Sequence, residues 1–141
     1  MKFVVALALI AAAAAQAPPT PDPSNLQCHC SFGIHNLRDD TILFSFRPLW
    51  ENACDESADH LCQEECVTQR DVLEAAGSWS VLVPERNETV GDIACGNLGR
   101  DEPTGVHCGL YHSVCDQLPR RSSHGLFEPL CCADGLYVQC S

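Results

Sequence analysis

The stretch LQCHCSFGIH, residues 26–35, alternates cleanly. Leu26, Cys28, Cys30, Phe32 and Ile34 take every second position, and polar or small residues fill the gaps. Successive side chains of a strand point to opposite faces, so the pattern predicts a half-buried β-strand over 26–34. Its buried face carries two cysteines two residues apart.

A partner for them lies further along. Between Cys54 and Gly77, Ala58, Leu61, Cys62, Cys66, Gln69, Val72, Leu73 and Ala76 recur at helical spacing. Asp55 or Ser57 can cap the start, acids crowd the first turn and Gly77 can close the end. The spacing predicts a helix over about 56–76, the only long one. Cys62 and Cys66 then share one helix face with Cα atoms roughly 6 Å apart. Cys28 and Cys30 share one strand face at roughly 6.6 Å. The two separations match, so the strand can lie along the helix under two parallel bridges of ordinary geometry. The expectation is that Cys28 and Cys30 bond Cys62 and Cys66.

Working outward, Ile42, Phe44 and Phe46 share a face up to Pro48, which predicts a second strand hairpinned to the first through the polar turn 36–40. SWSVLVP (78–84) reads as a short strand, 87–103 as turn-rich, 106–115 as strand or turn, 120–125 as a polar loop and 136–140 as a terminal strand. The fold class is α+β: a small disulfide-rich domain, one long helix packed on a short antiparallel sheet.

Upstream of the domain, Met1-Lys2 precedes an apolar run to Ala15 with small residues at the cleavage positions. Residues 1–15 read as a secretory signal peptide, too short in its apolar part to span a bilayer. Residues 16–25 hold four prolines and read as an extended leader, so the stapled domain covers 26–141. All eleven cysteines lie in that domain. Such density in an exported chain points to a disulfide framework, with Cys28, Cys30, Cys54, Cys62, Cys66, Cys95, Cys108, Cys115, Cys131, Cys132 and Cys140 as candidates. Eleven is odd, so one cysteine is free, capped or bonded to another molecule, and a disulfide-linked dimer stays open. Cys131 and Cys132 are adjacent and should bond different partners.

The net charge is −11, and the single lysine is Lys2. That excludes nucleic acid and anionic membranes as partners for a basic surface and favours an unknown, basic protein partner. Cys28-His29-Cys30 holds three possible ligands, but His29 points away from the cysteines and the spacing is too tight for a structural zinc site. No metal and no cofactor are expected. His107 and His112 flank Cys108, yet a nucleophile there needs a free thiolate, and a bridged Cys108 is the expectation. Glu64-Glu65 and Asp39-Asp40 read as solvated pairs, Gly99-Arg100-Asp101 as a turn, and Trp50 and Trp79 as packing residues. Asn87-Glu88-Thr89 is an N-glycosylation sequon. Arg120-Arg121 is a dibasic pair in a candidate processing loop.

ACGNLGRD (94–101), GLYHSVC (109–115) and LCCADGLYVQC (130–140), with CHC and CQEEC upstream, resemble the arthropod follicle cell protein 3C type. The likeness runs over residues 28–140, and Cys-Cys-x-Asp-Gly is its most specific part. The family pattern has a cysteine directly after Gly-Arg-Asp, where this chain has Glu102 and a later Cys108. The resemblance implies a small secreted product of the follicle epithelium, an eggshell or vitelline-layer component without enzymatic activity. The alternative is a secreted defence factor, microbe-binding or protease-inhibiting, with 117–126 as its best inhibitory loop.

Overall fold

A computed structural model describes residues 27–35, 40–50, 54–115, 117–126 and 128–141, and of Trp50, Ser123 and His124 the backbone only. The expected signal peptide, the proline-rich leader and Asp39 lie outside these residues.

Strand β1 (Gln27–His35) forms over the alternating stretch and is paired on both edges. On one edge β2 (Asp40–Ser45) runs antiparallel to Ser31–His35, and β3 (Leu49–Trp50) to Gln27–Cys28. Pro48 separates β2 from β3, because proline has no N–H to give a ladder; just before it, Phe46 N still donates to Cys30 O at 2.9 Å. On the other edge lies β7 (Gly109–Val114), from Cys28 opposite Val114 to Gly33 opposite Gly109. Strand β8 (Arg120–Gly125) closes the order β2-β1-β7-β8.

Helix α1 (Glu56–Ala76) covers one face of this sheet. The Asp55 carboxylate accepts from Ala58 N at 2.8 Å, and Gly77, at φ 124°, ends the helix where an L side chain would be strained. Its buried residues are Ala58, Cys62, Cys66 and Leu73.

A second layer follows. The hairpin of β4 (Leu82–Val83) and β5 (Glu88–Thr89) leads into helix α2 (Val90–Leu98). Helix α2 packs on β2 and on a three-stranded sheet ordered β10-β9-β6, made of β6 (Glu102–Val106), β9 (Leu130–Ala133) and β10 (Leu136–Val138). Trp79 joins the layers: it is fully buried, meets Phe32 edge-on at 6.1 Å between centroids, and donates Nε1–H to Glu128 O at 2.9 Å. Over the described residues the chain is a small α+β protein with two helices on antiparallel sheets.

Several expectations change. The 87–103 segment is not merely turns; it contains α2, capped by the Thr89 hydroxyl on Asp92 N at 3.0 Å. Residues 120–125 are the edge strand β8 rather than a loop. Residues 109–114 are a strand buried on both sides, which is why they show no alternation. Residues 78–84 begin with a 3-10 turn (Ser78–Ser80), and only Leu82–Val83 pair. In β2 a register shift between Phe32 and Gly33 leaves Leu43 unopposed and drives it into the core, while Ile42 and Phe44 are only half-buried.

Close approach explains Gly91. A Cβ there would sit 2.6 Å from Tyr137 Cβ and 2.9 Å from Trp79 O. Gly91→Ala therefore forces α2 away from β10 and should lower the stability to urea by about 1–3 kcal/mol. Gly96→Ala, with nothing within 4 Å of its new Cβ, should be neutral or stabilising in the same titration.

Candidate functional site

The sulfur framework organises the molecule. Cys28 bonds Cys62 and Cys30 bonds Cys66, at Cα separations of 5.5 and 5.3 Å, the pairing that the matched spacings predict. All four are 0–1 % exposed, and Cys28 Sγ lies 4.0 Å from Cys30 Sγ and 3.9 Å from Cys66 Sγ. Three of these sulfurs cluster within 4.8 Å, but they are bonded, so no thiolate is present to hold a metal. Cys54–Cys115 ties the approach to α1 to the end of β7. Cys95–Cys132 ties α2 to β9, and Cys131–Cys140 ties β9 to the chain end. Adjacent strand residues point to opposite faces, so Cys131 and Cys132 serve separate partners without conflict.

Cys108, expected to be bridged, is the free one. It is 2 % exposed, and burial pushes its thiol up to about 12. Its carbonyl accepts from Leu126 N at 3.2 Å, which closes β8 over it. A protonated, covered thiol is a poor nucleophile and a poor handle for an intermolecular bridge. His107 is exposed and His112 is buried, so the two imidazoles flanking Cys108 do not share a site.

His112 faces α1. Its Nε2 lies 3.3 Å from Asp59 Oδ1, and Arg120 Nη1 lies 3.5 Å from Asp59 Oδ2. The geometry gives neither imidazole nitrogen an aligned hydrogen bond among the described residues. Proximity thus allows a charge interaction without directional bonding. On the opposite face Tyr111 donates to Asp40 at 3.0 Å, and Asp40 also meets His35 Nδ1 at 2.7 Å. His35 first, then Tyr111, holds the Asp40 carboxyl below its ordinary value, while burial first and Asp40 second push the Tyr111 hydroxyl up to about 12.

Other sequence candidates scatter. Asn87 is exposed at φ 52° in the turn between β4 and β5. Arg120 and Arg121 lie on β8, where the ladder to His112 and Tyr111 holds the bond between them. Glu64 and Glu65 are exposed, with Glu64 3.1 Å from His60. Gly99 caps α2 at φ 72°, and Asp101 accepts from the distant Asp134 N at 2.9 Å rather than from its own turn.

One concavity escaped sequence reasoning. The end of β2, the β4–β5 hairpin and α2 enclose a cleft of about 500 Å³. Phe44 and Phe46, edge-on at 5.3 Å, form one wall, and Val83 and Ile93 face them. Arg47 bridges the mouth to Glu85 at 3.0 Å, Arg86 stands beside it, and Asn97 is anchored by donating to Leu43 O at 2.8 Å. The cleft draws on half-buried Phe44 and Phe46 together with residues of the hairpin and α2, and a simple alternation pattern does not show it.

The buried thiol has two measurable consequences. Alkylation of the native protein by iodoacetamide at pH 8 should be negligible and should rise to one equivalent on denaturation. The folded chain also holds the Cys108 proton from its usual 9.0 up to about 12. That contribution to stability is full below about pH 9 and is lost as pH rises toward 12. Cys108→Ala should flatten the unfolding free energy between pH 9 and 10, below the ordinary tyrosine value of 10.0.

No family model, no curated protein and no solved structure matches this chain.

Proposed function

We propose that the protein is a secreted, non-enzymatic structural component of an epithelial secretion such as an eggshell layer. The observation that carries this reading is the cross-linking of both layers: the two larger sheets are each bonded to a helix by disulfide, which suits a scaffold that must keep its shape outside the cell. The outer face of α1 adds exposed acids at Glu56, Glu64, Glu65 and Asp71, which suit a basic matrix partner. The resemblance of the cysteine pattern to the follicle cell protein 3C type, which departs at Glu102, supports the eggshell setting. Because Cys108 is covered, assembly runs through non-covalent contacts.

Immunolocalisation tests this directly. Staining should be confined to the follicle epithelium and egg envelope, and salt alone, without reductant, should extract the protein. Staining in haemocytes or gut would overturn the proposal.

One observation favours a second reading, protease inhibition. Gln117–Arg121 is exposed, with Leu118 85 % exposed, and it lies between Cys54–Cys115 and the β7–β8 ladder. Micromolar protein should then inhibit a trypsin-like protease, and Arg120→Ala should abolish it; a blank panel of serine proteases removes this reading.

A further inference from the structure

The cleft between β2, the β4–β5 hairpin and α2 has the composition of a ligand site. Binding pockets typically enclose about 300–1,000 Å³, with apolar walls and a few polar groups that fix orientation. Here the walls are Phe44, Phe46, Val83 and Ile93, and the polar groups gather at the mouth.

Cations gather at that mouth although the molecule as a whole is acidic. The chain carries nineteen Asp and Glu against eight Lys and Arg. Two of those eight cations, Arg47 and Arg86, stand at this one opening. Each already meets a carboxylate on the hairpin: Arg47 Nη2 meets Glu85 at 3.0 Å, and Arg86 Nε meets Glu88 at 3.0 Å. Both bridges are open to water, with side chains 44–83 % exposed, and exposed ion pairs hold weakly. A guanidinium has five donors in a planar fork, so one carboxylate at Nη2 or Nε leaves room for a second. The Asn97 amide donates to Leu43 O, which leaves its carbonyl oxygen as an acceptor at the cleft wall.

We propose that this cleft binds a small amphipathic acid, an apolar chain or ring bearing one carboxylate. Its body lies on Phe44, Phe46 and Ile93, and its carboxylate is taken by Arg47 and Arg86. A neutral apolar ligand would leave the guanidinium fork unused, and a dianion would meet Glu85. The site is independent of the matrix role, since it uses neither the acidic face of α1 nor the disulfides.

Calorimetric titration of the disulfide-intact chain with decanoate and with decanol tests the proposal. Decanoate should bind saturably at one site and decanol at least about tenfold more weakly, the usual loss for one charge-assisted contact. The double variant Arg47→Gln, Arg86→Gln should weaken decanoate by a similar factor and leave decanol unchanged. Glu85→Gln, which removes the competing carboxylate, should tighten decanoate. Ile93→Trp should fill the cleft and abolish binding of both ligands while far-ultraviolet circular dichroism and the disulfide map stay native. Should that variant fail to fold, Val83→Trp plugs the same space from the hairpin side. Absence of saturable decanoate binding below its micellar concentration overturns the proposal. Equal affinity for decanol, wild-type affinity in the arginine double variant, or binding that survives the tryptophan plug overturns it equally.

Discussion

Two disulfides lying side by side set everything else. Four residues of helix and two residues of strand advance by nearly the same distance, about 6 Å, so the bridges from β1 to α1 run parallel. A single bridge would let the helix pivot on the sheet; two fix its direction as well as its position. The cystines also fill volume, because their sulfurs are as buried as Phe32 and Leu110. Each bridge contributes about 2–4 kcal/mol by restricting the unfolded chain. Covalent constraint and apolar burial are therefore the same atoms in this core. Once α1 is fixed, Asp59 comes to rest over His112, and the Arg70 guanidinium reaches Gly125 O at 3.4 Å.

The second layer is held more loosely by chemistry of another kind. One bridge, Cys95–Cys132, joins α2 to its sheet, and polar contacts complete the attachment. Asp92 accepts from Tyr137 N at 2.9 Å, and the Tyr137 hydroxyl donates to Glu128 at 2.6 Å. Trp79 then links this layer to the first through Phe32 and Glu128 O. The cleft lies along this seam, where β2 ends at Ser45 and the hairpin stands opposite.

What the sequence makes legible follows from period and spacing. The β1 alternation, the α1 repeat and their matched cysteine pairs are local signals, and they identify the staple before any coordinates. Helix α2 hides because Gly91 and Gly96 interrupt it and its cap, Thr89, sits among turn residues. Strand β8 hides because an edge strand with solvent on one side needs no apolar alternation, and RRSSHG has none. Strand β7 hides for the opposite reason, being covered on both faces. Leu43 reaches the core only through a bulge, which no periodic template contains. Cys108 is distinguished from the other ten cysteines only by the fold, which pairs those ten among themselves. The cleft draws residues from three separate segments and has no linear signature at all.

The position of β1 has a consequence for how the molecule comes into being. It is the earliest described strand, yet one of its edges waits for β7, in the last third of the chain. Such distant pairing makes assembly slow, since loop closure must precede the contacts that reward it. The earliest described strand is thus completed late. Until then its alternating apolar face and the thiols of Cys28 and Cys30 stay uncovered on that edge, so the part of the core that the sequence announces most clearly is among the last to close.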